Sequence, residues 1–189
     1  PDDSNVHAIY AFTLDWNANP ILIDDPRVIQ KLLTDAEQEA ARALQLDNTN
    51  TLALALSAEI LVDQQKWTQA QQNIEKALAS DSSLMDVHRV NAYVMESLGE
   101  YALAIESYDR AIAITPNLTF LHLYAGANYR RLAFDSPNEE VQTQLYEKSL
   151  EYFFFSALIN TQLNVKDPVP YLSIAKTYSH MGQFFIAIR

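Results

Sequence analysis

The stretch that decides the fold is residues 85–118, MDVHRVNAYVMESLGEYALAIESYDRAIAITPNL. The 34 residues before it, 51–84, carry small and aromatic residues at matching places. Two antiparallel helices approach closely only where the residues that face each other are small, so this spacing predicts a repeated helix pair. The residues that recur at intervals of 34 are Ala36, Ala70 and Ala104; Ala43, Ala77 and Ala111; Ala58, Ala92 and Gly126; and Trp67 and Tyr101.

This 34-residue unit, with an aromatic residue before its second helix, resembles the tetratricopeptide repeat. The resemblance implies an all-α fold: a right-handed α-solenoid of antiparallel helix pairs, with about four and a half repeats and about ten helices. We expect one domain over 1–189. Its repeats are expected at about 4–50, 51–84, 85–118, 119–167 and, incomplete, 168–189.

Two of these repeats are longer than 34 residues. The first is expected to hold an insertion at 17–24, after a first helix at 4–16. The fourth holds eleven extra residues, at 133–143, which include Ser136-Pro137-Asn138-Glu139. That sequence has the form of a capping box with proline in the first turn. We therefore expect a long second helix over about 137–160.

The composition excludes several classes of partner. The chain has 24 Asp and Glu against 13 Lys and Arg, a net charge of −11. Such a chain is repelled by the phosphates of nucleic acid and by anionic lipid, so we expect neither as a partner. It has no cysteine, which excludes disulfides and thiolate chemistry, and no apolar run long enough to span a membrane.

Nothing in the sequence indicates catalysis. Three glycines cannot build a phosphate-binding loop, and no metal-binding His-Glu-x-x-His spacing occurs. We therefore predict no enzyme activity, no catalytic residues, no metal and no cofactor. His7, His88 and His122 each precede a small packing residue by four positions. They either fill space in each repeat or form a metal-binding or pH-sensitive row; a spacing of about 10 Å between adjacent repeats favours the first interpretation.

In the tetratricopeptide repeat the first helices of successive units line a concave groove that holds a peptide. Family members that clamp a C-terminal carboxylate use Lys and Asn at positions where the second repeat has Ala55 and Glu59, so we expect no such clamp. Asp15, Asp63 and Asp86 occupy further groove positions. The groove residues that the resemblance assigns to peptide binding are Phe12, Trp16, Glu59, Arg89, Tyr93, Phe120, Arg130, Arg131 and Lys176.

The groove changes from acidic and aromatic at its N-terminal end to basic and apolar at its C-terminal end. A basic cluster of Arg89, Arg130, Arg131 and Lys176 can receive an acidic stretch of a partner, with Phe12, Tyr93 and Phe120 as apolar anchors. Alternatively, the cations pair with Glu59, Asp86 and Glu96 inside the groove and bind nothing, or the insertions cover them.

A run of four aromatic residues, 152–155, predicts a second surface. Phe153 is expected in the core, whereas one or two of the others should point outward, toward further repeats or a partner. The same reasoning applies to Phe184, Phe185 and Ile186.

The leading interpretation is a protein–protein interaction scaffold that binds a partner polypeptide in the concave groove. Two alternatives stay open: a substrate-presenting region of an enzyme whose catalytic domain lies outside this chain, and a structural solenoid that self-associates through its ends. The resemblance is strongest to bacterial repeat proteins, several of them exported, which favours a periplasmic or extracellular location over the cytoplasm. Because the chain lacks an initiator Met and stops within an apolar pattern, we expect a fragment of a longer bacterial protein.

Overall fold

The computed structural model describes residues 2–19 and 23–183, and over these ranges every regular element is an α-helix. The expected tenth helix, and the residues Phe184, Phe185 and Ile186, fall outside the described residues. The all-α fold built from helix pairs is confirmed. Its helices are α1 (Ser4–Asn17), α2 (Pro26–Leu46), α3 (Thr51–Asp63), α4 (Trp67–Ser80), α5 (Met85–Ser97), α6 (Tyr101–Ile114), α7 (Thr119–Asp135), α8 (Glu139–Gln162) and α9 (Val169–His180).

Local chemistry sets where the first two helices begin. The Asp3 side chain accepts hydrogen bonds from the backbone N–H groups of Asn5 and Val6, which otherwise lack partners at the start of α1. Asp25 does the same for α2, accepting from the N–H of Arg27 at 2.9 Å. Pro26 follows it in the first turn, where its missing N–H costs no hydrogen bond. No described helix is both long and apolar enough to cross a membrane.

The chain divides into two compact units, Pro1–Leu98 and Gly99–Arg189. In the first, α3 packs against α1, α2, α4 and α5. The alanines of the 34-residue ladder, including Ala36, Ala58 and Ala77, are fully buried where these helices meet. Ile60, Ile74 and the valines of α5 fill the space around them, each burial stabilising the fold by about 1.5–3 kcal/mol.

The second unit contains α6 to α9, with its closest packing between α7 and α8. Gly126 lies where the other repeats have alanine, and a Cβ atom there would come within 2.8 Å of the Phe153 ring and 3.1 Å of the Ser149 carbonyl oxygen. The Ser149 hydroxyl donates a hydrogen bond to the Gly126 carbonyl at 2.8 Å. The glycine is therefore needed because Phe153 fills the space that a methyl group would take.

The α7–α8 pair is longer than the others. α7 has 17 residues and α8 has 24, against 13 in α3 and 14 in α4. The expected start of α8 at Pro137, with Ser136 in a capping box, is wrong by two residues: α8 begins at Glu139. The Asn138 side chain is the cap, since it accepts from the N–H groups of Glu140 and Val141 at 3.0 and 3.1 Å. The Ser136 hydroxyl donates instead to the Asn138 carbonyl at 3.4 Å.

Two of the three equivalent histidines make the same hydrogen bond. Nε2 of His88 donates to the Ser82 carbonyl at 2.8 Å, and Nε2 of His122 donates to the Pro116 carbonyl at 2.9 Å. Each bond closes the turn before a first helix, which is a structural role. His7 differs, since its Nδ1 lies 2.6 Å from a carboxylate oxygen of Glu39. Within the described residues, no group of three or more His, Cys, Asp or Glu side chains is arranged to hold a metal ion.

Candidate functional site

The first helices of unit 1 carry an acidic and aromatic surface at the predicted groove positions. α3 packs between α1 and α5, which brings together residues far apart in the chain. We call this surface the acidic face. It consists of Phe12, Asp15, Trp16, Glu59, Asp63, Asp86, Arg89 and Tyr93.

Arg89 lies at the centre of the acidic face, and carboxylates neutralise its charge. Its guanidinium donates two hydrogen bonds to Glu59, at 2.8 and 2.7 Å, and a third to Asp86 at 3.1 Å. It also lies 5.6 Å from the centre of the Phe12 ring. Burial alone would lower the pKa of Arg89, but the bonds to Glu59 and the charges of both carboxylates raise it overall. For Arg89, internal pairing is the arrangement that the structure contains.

A second polar group joins Asp15, Asp63 and Tyr93. The Tyr93 hydroxyl donates to Asp63, and burial followed by that bond raises the pKa of Tyr93, so the phenol stays a donor. Asp15 is only 8% exposed, and its Oδ1 has no hydrogen-bond partner. Burial, then a hydrogen bond with Asp63 and the negative charges of Asp63 and Glu59, raise the pKa of Asp15 to about 8. At pH 7 Asp15 therefore holds a proton that it shares with Asp63.

Trp16 forms the open edge of the acidic face. Its side chain is 67% exposed, and its ring centre lies 6.0 Å from that of Phe12. An exposed indole beside carboxylates is a surface that attracts a cation, because the face of the ring is electron-rich.

Unit 2 carries a cavity of opposite charge, which we call the basic pocket. Its volume is about 370 Å³. The residues that line it come from α6, α7 and α9, and they include three of the four cations predicted from the sequence. They are Tyr101, Arg130, Arg131, Phe134, Asp135, Lys176 and His180.

Arg130 is held in place without a carboxylate. One guanidinium nitrogen donates to the Ser173 carbonyl at 3.3 Å and to the Thr177 hydroxyl at 3.5 Å, and the group lies 5.3 Å from the centre of the Phe153 ring. Burial, followed by the charge of Arg131, lowers the pKa of Arg130. No carboxylate of the described residues lies within ion-pair distance of it. Its positive charge is directed into the pocket.

The other residues of the basic pocket add aromatic surface and further charge. The Arg131 guanidinium lies 5.6 Å from the centre of the Tyr101 ring and donates to Asn128 at 3.4 Å. Burial, then the charges of Arg130 and Lys176, lower the pKa of His180, so this imidazole is neutral at pH 7. The pocket thus combines fixed cations with an uncharged ring.

Phe134 is the pocket residue that sequence reasoning missed. Its side chain is 71% exposed, and its ring centre lies 6.2 Å from that of His180. The signal was available, since Phe134 falls among the residues that exceed the 34-residue period. Phe120, which was predicted for the groove, does not line the pocket; it forms an edge-to-face contact with Tyr124 at 6.2 Å.

The aromatic run of α8 divides between core and surface. Phe153 is 1% exposed, whereas Phe154 and Phe155 are 48% and 59% exposed. The Phe155 ring stacks on His122 with centres 5.8 Å apart, and the Tyr152 hydroxyl donates to Asp109 at 2.5 Å. As expected, two of the four aromatic side chains face outward.

Comparison with known proteins identifies the class of fold as that of tetratricopeptide-repeat proteins. YrrB, whose structure is described as that of a TPR protein with an unusual peptide-binding site, has a TM-score of 0.60 and 19% identity, over 82% of this chain and 73% of that one. The human IFIT1 dimer, solved with PPP-AAAA, has a TM-score of 0.73 and 22% identity, over 96% of this chain and 38% of that one. These likenesses confirm the fold predicted from the 34-residue period.

One curated relative matches at the level of sequence. ETO1-like protein 2 of Arabidopsis thaliana is 29% identical over 102 residues, which are 53% of this chain and 11% of that protein. The chain therefore spans a small part of the relative's length. No family model matches the chain.

Proposed function

We propose that this chain is a protein–protein interaction scaffold that binds a partner polypeptide along its first helices, and that the basic pocket receives an acidic stretch of that partner. The observation that carries the proposal is Arg130, a cation held by backbone, hydroxyl and ring contacts, with no carboxylate of the described residues beside it. Lys176 and Arg131 line the same pocket, and Phe134 offers an exposed aromatic surface.

The local geometry favours an anionic side chain as the ligand. A guanidinium binds a carboxylate through charge-assisted hydrogen bonds, each contributing about 1.5–3 kcal/mol. Because Arg130 is already fixed by its contacts, little side-chain entropy is lost when a partner binds. Phe134 and Tyr101 supply apolar area beside the cations, which suits a peptide in which an acidic residue stands next to an apolar one.

A polypeptide fits this chain better than nucleic acid does. The net charge of −11 opposes a phosphate backbone, which requires several cations along its path. The basic pocket holds only three, beside Asp135. The solved IFIT1 structure contains PPP-AAAA, but its identity of 22% supports the fold and not a shared ligand.

The test is selection from a random heptapeptide library on the immobilised chain. Peptides with Asp or Glu next to an apolar residue should be enriched, and Arg130→Gln should weaken their binding by about tenfold, as expected for the loss of one charged hydrogen-bond partner. Arg110→Gln is the matched control: it removes the same charge from an exposed position on α6 of the same unit, where Arg110 pairs with Glu106.

Three results would count against the proposal. Selection could enrich no acidic motif, or Arg110→Gln could weaken the selected peptides as much as Arg130→Gln does. A 5′-triphosphate RNA tetramer could also bind more tightly than any selected peptide at the same salt concentration, which would replace the polypeptide by RNA as the ligand.

A further inference from the structure

The negative charge of the chain is concentrated in unit 1. Residues 1–98 hold 15 of the 24 Asp and Glu but only 6 of the 13 Lys and Arg. The acidic face shows the same excess at close range. Its four carboxyl groups, Asp15, Glu59, Asp63 and Asp86, are accompanied by a single cation, Arg89.

Within the acidic face, Asp63 is the carboxylate that stays available to a ligand. Both oxygens of Glu59 are occupied by the guanidinium of Arg89, which also binds Asp86. Asp63 is exposed at the end of α3, and its described contacts are the Tyr93 hydroxyl and the Asp15 carboxyl. It accepts hydrogen bonds from neutral groups and has no cation of its own among the described residues.

A second observation points to a missing donor. Asp15 is more than nine-tenths buried among these carboxyl groups, and its Oδ1 has no hydrogen-bond partner. Buried polar atoms are nearly always paired, so an orphaned acceptor in a carboxyl cluster indicates that the cluster is short of donors. The adjacent Trp16 ring, 67% exposed, provides the electron-rich surface on which a cation rests.

We propose that the acidic face binds a basic side chain, arginine or lysine, with its charged group against the Trp16 ring and its N–H donors directed at Asp63. The proposal rests on the proposed function in one respect: the basic side chain belongs to the polypeptide that lies on the first helices. An arginine fits the site well, because its five N–H donors meet a cluster that has more acceptors than donors. The tyrosine hydroxyl of Tyr93 holds the Asp63 carboxylate in place for it.

The test uses a blocked amino acid, so that it does not depend on the identity of the partner. Nα-acetyl-arginine amide is titrated into the ¹⁵N-labelled chain, and the indole N–H resonances of Trp16 and Trp67 are followed. We expect a saturable shift of the Trp16 resonance, and little change at Trp67, which lies on α4. Nα-acetyl-citrulline amide, which has nearly the same shape without the charge, should shift neither resonance.

Two variants place the interaction. Asp63→Asn should weaken binding of the arginine derivative by about fivefold or more, since it removes the charge and keeps the shape. Glu75→Gln, an equal change of charge at an exposed site on α4, should leave it unchanged. Trp16→Leu, at a site too exposed to threaten folding, should also weaken binding, measured by saturation-transfer signals on the ligand.

The outcomes separate this proposal from the one for the basic pocket. If citrulline shifts Trp16 as much as arginine does, or if Glu75→Gln weakens binding as much as Asp63→Asn, the acidic face has no cation site and the inference is wrong. Acidic peptides that still require Arg130 would then leave the proposed function standing. The reverse result, arginine binding with no effect of Arg130→Gln on any peptide, would remove the basic pocket alone.

Discussion

Arg89 on α5 and Glu59 on α3 form a two-pronged ion pair, with nitrogen–oxygen distances of 2.8 and 2.7 Å and side chains only 12% and 10% exposed. The pair joins the first helices of two successive repeats. Because few waters reach it, each group depends on the other to compensate for the loss of hydration.

Removing one member of this pair should destabilise the fold more than removing both. Glu59→Gln leaves the Arg89 charge partly unpaired in a buried place, and we expect the free energy of unfolding to fall by about 3 kcal/mol. The double variant Glu59→Leu/Arg89→Met replaces both groups by apolar ones of similar size and should recover most of that loss. Urea denaturation measures both. A loss below about 1 kcal/mol in Glu59→Gln would show that the pair behaves as a surface ion pair.

Gly126 should not tolerate alanine, although alanine is the better helix former. The propensity gain is about 1 kcal/mol, whereas inserting a methyl group into a packed contact costs about 1–3 kcal/mol. With the Phe153 ring 2.8 Å from the new Cβ and the Ser149 carbonyl at 3.1 Å, we expect net destabilisation of Gly126→Ala in thermal or urea unfolding. Adding Phe153→Leu should restore part of the stability; if it adds a full independent loss instead, the contact with Phe153 is not the cause.

The Asp15 carboxyl should make stability fall as pH rises. Its pKa is about 8 in the folded chain against 3.8 ordinarily, so the folded state binds the extra proton. The stabilisation is complete below about pH 4 and is lost as the pH rises through 8. Asp15→Asn keeps a neutral group and should be free of this loss, so that wild type declines relative to it by about 2 kcal/mol between pH 6 and 9. Glu75→Gln is the control and should follow wild type; parallel curves for Asp15→Asn and wild type would contradict the shared proton.

The start of α8 provides a comparison of two neighbouring candidates for the cap. Asn138→Ala removes the side chain that accepts from the N–H groups of Glu140 and Val141, and it should cost about 1 kcal/mol in urea denaturation. Ser136→Ala removes only a hydroxyl that donates a 3.4 Å bond and should cost little. Equal losses, or a larger loss at Ser136, would favour the cap that the sequence pattern predicts.

The fold could be predicted because its packing rule is local and periodic. Ala36, Ala70 and Ala104 need only be small and 34 residues apart to mark the helix contacts, and all three are fully buried. The candidate site is less predictable from the same pattern. Whether Arg89 faces solvent or turns toward Glu59 depends on rotamers and on competition among nearby charges, which repeat spacing does not encode. Arg130 differs from Arg89 for the same reason, since its neighbours on α9 present a carbonyl and a hydroxyl instead of a carboxylate.

The eleven extra residues of the α7–α8 pair have a consequence for how this pocket arose. Four of them extend α7 beyond the length of α3, and seven precede Tyr146, which matches Trp67 at the start of α4. At 3.6 residues per turn these are about one and two whole turns, so the buried stripe keeps its phase in both helices. A shift of one residue would instead rotate it by about 100°. The added turn of α7 contains Phe134 and Asp135, two of the residues that line the basic pocket. A length change in whole turns thus added a wall to a cavity without disturbing the repeat beneath it.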